Sequence, residues 1–131
     1  MQLDETLAND MAQRAAVRLT GGHVDVYDQG GERLARCLFA ALPFADPAEG
    51  AIVANPFPAA IAERDGVPSR FEARDAIGAL ALSGSAGYRD DLPAPEMKFK
   101  TRRIVEGADV QIESFVFSVV ASIGAGDQQA T

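Results

Sequence analysis

The stretch that most constrains the fold is Ser69 to Gly84, SRFEARDAIGALALSG, which has the pattern of a β-hairpin. Phe71 and the alanine two residues on share one parity and charged residues take the other, as in a strand buried on one face. Gly78 can adopt the positive φ that closes a short hairpin, and Leu80 and Leu82 then resume the inward pattern. The sequence therefore predicts a half-buried hairpin at the centre of the chain.

Short apolar segments separated by turn residues continue on both sides of this hairpin. Their number and their regular spacing predict a mainly β fold, an antiparallel β-sandwich of seven or eight short strands with one N-terminal amphipathic helix. The expected organisation is a helix in residues 1–22, a sandwich in residues 23–123 and a polar tail in residues 124–131. The predicted strands are His23 to Asp28, Arg33 to Ala40, Ala51 to Ala54, Ala59 to Ala62, Ser69 to Ala76, Ala79 to Ser83, Glu96 to Lys100 and Asp109 to Val120.

The N-terminal helix is predicted from Leu3 to Leu19, before the Gly21-Gly22 break. Leu3, Leu7 and Met11 recur at a spacing of four, which places them on one face of this helix. The face either covers the sheet of its own domain or docks on another subunit. Under the second alternative, these three residues are candidates for a protein interface.

The last predicted strand changes its pattern partway. Val110 and Ile112 share one parity, whereas Phe115 and Phe117 take the other. Either a β-bulge near Ser114 re-aims the strand, or its second half is buried on both faces with the helix as its cover. The second alternative is favoured here.

Composition and charge exclude several classes of function. The 131 residues fit one domain, and a formal net charge of −7 opposes binding to nucleic acid or to anionic membranes as the main task. Neither a signal sequence nor an apolar run long enough to cross a bilayer is recognisable. The single cysteine, Cys37, has no partner for an internal disulfide and lies within an apolar strand pattern, which predicts a buried, inert thiol.

Candidate catalytic and metal-binding groups are few. His23 shares a strand face with Asp25, but an exposed strand histidine is the more common reading of this pattern. Asp90–Asp91 could ligate calcium together with Asp46 or Glu49, yet no Asp-x-Asp-x-Asp-Gly loop is present. The sequence therefore predicts a protein without catalytic residues, cofactor or metal.

Two features between residues 83 and 103 are candidates for contacts with partners. The run Lys98, Lys100, Arg102 and Arg103 gathers four of the twelve basic residues, and we expect it to meet an acidic neighbouring subunit rather than nucleic acid. Tyr88 is expected near the tip of a Gly-, Pro- and Asp-rich loop that covers residues 83–95.

A series of motifs runs through most of the chain in a recognisable order. After the helix and the glycine break come VDVYD, LARCLF, PFADPAEGAIVANPF, SRFEARDAIGALALSGSAG and RRIVEGADVQIESFVFSV. This order resembles that of a family of small virion proteins of tailed bacteriophages and prophages, which share an LRIY-like strand, a Gly-x-x-Gly turn and an I-x-x-G-x-x-V-x-I-x-S-F ending. The matching positions are Val26, Tyr27, Phe44, Ala54, Asn55, Phe71, Gly84, Gly87, Ile104, Gly107, Val110, Ile112, Ser114 and Phe115.

The resemblance implies a structural role in the particle and no catalysis. The resulting hypothesis is a homo-oligomeric capsid decoration or head-to-tail attachment component that contacts capsid or tail subunits. Its expected locations are the virion and, during assembly, the host cytoplasm. The alternative is a tail-fibre or baseplate module that binds host-surface carbohydrate through Tyr88 and the 85–95 loop.

Overall fold

A computed structural model describes residues 4–118, which form one helix and seven strands. None of the helices in this range is long and apolar enough to cross a membrane. The predicted mainly β fold with one N-terminal helix is confirmed. In chain order the elements are α1 (Glu5–Leu19), β1 (His23–Tyr27), β2 (Arg33–Leu38), β3 (Ala51–Val53), β4 (Arg70–Arg74), β5 (Leu80–Tyr88), β6 (Met97–Phe99) and β7 (Ile112–Ser118).

The strands form one hydrogen-bonded order, β2-β1-β4-β5-β6-β7-β3. Five of the neighbouring pairs are antiparallel, as predicted, but β5 and β6 run parallel, with Ala86 opposite Met97 and Tyr88 opposite Phe99. The sheet is therefore mixed rather than purely antiparallel.

The sheet curls until its two ends meet around one core. Phe39 directly follows β2, and Phe115 lies on β7, five strand spacings along the order. In a flat sheet these strands would be about 24 Å apart. The two ring centroids are instead 6.4 Å apart, and Phe71 on β4 packs edge-on against Phe115 at 5.0 Å. The two halves of the sheet therefore face one another, as the layers of a sandwich do.

Loop segments cover both ends of the strand order. The Glu63 N–H donates to the Leu34 carbonyl of β2 at 2.7 Å. Gly66 in the same segment forms an isolated antiparallel bridge with Ile104. At the other end, the Ala45 N–H donates to the Val53 carbonyl of β3 at 2.9 Å. Covered ends of this kind protect a sheet against edge-to-edge aggregation.

Helix α1 packs on the sheet of its own chain, against β3 and β5. Asp4 caps it by accepting a hydrogen bond from the Leu7 N–H, and Arg18 near its end donates to the Leu80 carbonyl. Small side chains on the packed face allow the helix to approach the strands closely. The buried helix residues are Ala8, Ala12, Ala16 and Leu19.

In the first half of α1, the buried face lies one position beyond Leu7 and Met11 of the predicted stripe. Leu7 and Met11 remain 48% and 39% exposed, because the alanine that follows each of them makes the contact with the sheet. Leu3 lies outside the described residues. The helix thus covers its own domain and still presents Leu7 and Met11 on its flank.

Strand β5 extends through the first six residues of the segment 83–95, which was predicted as a loop. It continues to Tyr88, because its glycines serve close packing rather than a turn. A Cβ atom at Gly84 would lie 2.8 Å from the Phe71 ring and 2.6 Å from the Glu96 carboxylate. The β4–β5 register also shifts beside Arg74, so Leu80 lies on the outer face and the prediction that it points inward is wrong.

The change of pattern in β7 comes from a β-bulge. Ser114 pairs with Lys98 and Ile112 with Phe99, which leaves Glu113 as the extra residue. Val116 in the second half is 41% exposed. The favoured alternative, burial of this half on both faces, is therefore wrong, and the bulge accounts for the sequence. The predicted strand at residues 59–62 is only an isolated bridge, between Ile61 and Asp109.

Candidate functional site

The outer face of β2, β1 and β4 carries a cluster of charged and aromatic side chains. Alternation along a strand places every second residue on this face, and the register aligns the three strands side by side. We call this surface the arginine face. It consists of His23, Asp25, Tyr27, Arg33, Arg36, Leu38, Arg70, Glu72, Arg74 and Leu80.

Asp25 is the centre of the arginine face and is only 1% exposed. Arg36 on β2 holds both of its oxygens, with Nε 2.8 Å from Oδ1 and Nη2 3.2 Å from Oδ2. Arg74 on β4 approaches from the other side at 3.8 Å, and Arg33 lies at 4.0 Å. A carboxylate is stable in such burial only when cations and hydrogen bonds replace its water, and the three arginines do so.

Glu72 forms a second carboxylate centre beside Asp25. Arg74 donates to it at 2.9 Å and Arg70 at 3.0 Å, and these hydrogen bonds lower the pKa of the Glu72 carboxyl. Arg74 also donates to the Gly78 carbonyl at 3.0 Å, which ties the face to the turn of the hairpin. Both carboxylates are therefore held in fixed positions.

Tyr27 lies between two arginines at the far end of the face. The guanidinium of Arg70 stacks over its ring at 4.4 Å, which is a cation–π contact. Burial and the nearby charges of Asp25 and Glu72 raise the pKa of the Tyr27 hydroxyl. On the other side, Arg33 binds Glu63 through Nε and Nη2, at 3.2 and 3.0 Å.

His23 is largely buried, so the expectation of an exposed strand histidine is wrong. Its side chain is 16% exposed, and its Nε2 atom lies 3.5 Å from Asp25 Oδ2 without a hydrogen-bond partner among the described residues. Cys37 faces the core on the other side of the sheet, where burial raises the pKa of its thiol to about 12. The expected inert thiol is thus supported, and the arginine face combines a histidine and a carboxylate without a nucleophilic side chain.

The sequence-predicted interface residues lie elsewhere. Leu7 and Met11 are on the flank of α1. Lys98 lies on β6, and Lys100 and Arg103 are exposed in the segment that follows it. The structure does not join these residues with the arginine face into one surface.

Arg102 and Tyr88, both predicted as contact residues, are engaged with each other. The Arg102 guanidinium lies 4.4 Å from the centre of the Tyr88 ring and binds Asp91 at 2.9 Å. One face of Tyr88 is therefore already covered by a side chain. A sugar ring would have to displace Arg102 to stack on that face.

Sequence reasoning missed the arginine face because its pairs come from three strands. Arg36 lies 11 residues after Asp25 on the next strand, but Arg74 comes from a strand far along the chain, and the register brings the three together. Alternation along the strands could have placed these residues on one face. Asp25 alternates with valines, and Arg70 and Arg74 are four residues apart in RFEAR. Within residues 4–118, no group of three His, Cys, Asp or Glu side chains is arranged to hold a metal ion.

Comparisons with known proteins found no match to any family model, curated protein or solved structure. The resemblance to tailed-phage virion proteins thus stays a prediction from the sequence motifs. What the site geometry offers is an ordered, charged surface suited to binding.

Proposed function

We propose that this protein is a non-enzymatic structural subunit that assembles in multiple copies in a tailed-phage virion, as a capsid decoration or a head-to-tail attachment component. The assignment to a virion rests on the resemblance of its sequence motifs. The assignment to an assembly rests on the structure of helix α1.

Helix α1 leaves some of its larger apolar side chains exposed, although Leu19 at its end is fully buried. Its alanines are buried against the sheet, whereas the larger Leu7 and Met11 are among its exposed residues. A helix that only covers a core buries its largest apolar residues, because each contributes about 1.5–3 kcal/mol on burial. Exposed apolar residues grouped on one flank are typical of a protein interface. This is the observation that carries the proposal.

The decisive experiment measures the mass of the purified full chain by light scattering at two protein concentrations and two salt concentrations. We expect a defined oligomer. The double substitution Leu7→Ser with Met11→Ser lowers its mass, because it removes apolar area at the contact and leaves the packed alanine face intact.

Val17→Ser is the matched control. Val17 is an exposed apolar residue of the same helix, more than two turns beyond Leu7 and on a different side. We expect this variant to keep the wild-type mass. A wild-type protein that remains monomeric under all four conditions, or a Leu7/Met11 variant with unchanged mass, contradicts the proposal.

A further inference from the structure

The arginine face differs in charge from the rest of the molecule. Its four arginines outnumber the three carboxylates that bind them, Asp25, Glu72 and the neighbouring Glu63, whereas the whole chain has a net charge of −7. The surface outside this face is therefore strongly acidic. The arginine face is a basic island on an acidic protein.

The arginines of this face are held in position and retain free donors. Arg36 uses two of its nitrogens on Asp25, Arg33 two on Glu63, and Arg70 one on Glu72. A guanidinium has N–H donors to spare after such contacts, and it loses little further entropy when a second carboxylate binds it.

The other residues of the face also favour binding to a protein. Tyr27 lies between arginines, and arginine and tyrosine are enriched at the energetic centres of interfaces. Leu38 and Leu80 add exposed apolar area at the two sides of the face.

An acidic region lies elsewhere on the same molecule, where the start of α1 meets the loop before β3. No lysine or arginine occurs in residues 1–13 or 37–63. The Gly50 N–H donates to Asn9 Oδ1 at 2.7 Å, which joins the start of α1 to the loop before β3. Apart from Glu63, which binds Arg33, no acidic side chain of these two segments forms an ion pair among the described residues. We call this region the acidic end: Asp4, Glu5, Asp10, Asp46 and Glu49.

We propose that the acidic end of one copy docks on the arginine face of the next copy. This inference rests on the proposed multi-copy assembly and names the two surfaces that meet in it. Leu7 is three residues from both Asp4 and Asp10 on α1, so the exposed flank of Leu7 and Met11 belongs to the acidic end. The surfaces differ, so the contact is heterologous and generates a ring or an open filament rather than a twofold dimer. Such charge complementarity also predicts that the contact weakens as the salt concentration rises.

Mixing two neutralised variants tests this contact. The face variant carries Arg33→Gln and Arg70→Gln, which leaves Arg36 and Arg74 on the buried Asp25. The end variant carries Asp10→Asn, Asp46→Asn and Glu49→Gln, all at exposed positions. Their masses are measured by light scattering, alone and as an equimolar mixture, after thermal unfolding has shown that both are folded.

We expect each variant alone to be monomeric. The mixture forms a one-to-one dimer and nothing larger, because the intact acidic end of the face variant binds the intact arginine face of the end variant. A mixture that stays monomeric overturns the proposal, and so does a variant that assembles alone as the wild type does.

A third variant controls for overall charge. Asp90→Asn, Glu106→Gln and Asp109→Asn neutralise three exposed carboxylates outside the acidic end, and we expect the wild-type mass. Loss of assembly in this control overturns the assignment to the acidic end. A monomeric wild type overturns the contact and the proposed function together, whereas a wild-type oligomer retained by both neutralised variants overturns the contact alone.

Discussion

A carboxylate on the outer face of a sheet is ordinarily hydrated, and Asp25 is not. Arginine side chains from both neighbouring strands cover it, Arg36 with two hydrogen bonds and Arg74 with an ion pair at 3.8 Å. Asp25 is thus buried because the side chains of its neighbours cover it, although it lies on the outer face of the sheet. Removal of the principal neighbour, Arg36, leaves the buried charge poorly compensated.

We therefore predict that Arg36→Ala lowers the free energy of unfolding by about 1–2 kcal/mol, measured by urea denaturation near neutral pH. Hydrogen bonds to charged groups contribute about 1.5–3 kcal/mol, and the partial exposure of Arg36 reduces that value. Arg89→Ala is the control, because Arg89 is as exposed as Arg36, 45% against 44%, but pairs with exposed carboxylates. An equal loss in both variants would refute the special role of the buried partner.

Cys37 leads to a second prediction at this scale. Its thiol is fully buried with a pKa raised to about 12, so the reactive thiolate is essentially absent in the folded protein at pH 8. A disulfide reagent should react with Cys37 only as fast as the protein unfolds, and immediately in denaturant. Rapid labelling of the folded chain would contradict this.

The junction between α1 and β1 depends on a close approach of two backbone segments. A Cβ atom at Gly22 would lie 1.9 Å from the Arg74 carbonyl oxygen at the end of β4, and the Gly22 carbonyl also accepts the Phe39 N–H. The second glycine of the pair therefore does more than stop the helix. It lets the ends of β1, β2 and β4 come together.

Gly22→Ala is expected to destabilise the protein by about 1–3 kcal/mol, since backbone must shift to admit the methyl group. Gly30→Ala is the matched control, because Gly30 lies in an open turn with only the Asp28 carboxylate near its Cβ position. Thermal unfolding of the two variants provides the comparison. Similar midpoints for both would show that the close approach is relaxed at little cost.

The elements themselves were largely predictable, because alternation such as that around Phe71 reports burial on one face directly. The wrong predictions were those in which a single side chain or an inserted residue altered the secondary structure that the local pattern indicates. In the sequence, Gly84 has the character of a turn residue, whereas in the structure it makes room for the Phe71 ring. The bulge at Glu113 is defined only by the pairing of β7 with β6, which the sequence does not give. On α1, spacing alone could not show that the alanines rather than Leu7 would be buried.

For the whole molecule, the candidate site was less predictable than the fold. The arginine face depends on the register between β1 and β4, which are far apart in sequence. Leu7 and the basic run, in contrast, could be selected as candidates from the spacing of neighbouring residues. The residues substituted to test the proposed contact lie outside the core. Variants of either surface should therefore separate assembly from folding.

The central place of β7 also bears on how the chain reaches its native state. This late strand pairs with β6 and with the early strand β3, and its Phe115 touches aromatic rings from several distant segments. A nascent chain therefore lacks the contacts of Phe115 until β7 has been synthesised. Contacts of such high sequence separation also slow folding, because long loops must close first. We therefore expect the sheet to close around its aromatic core only after β7 has been synthesised.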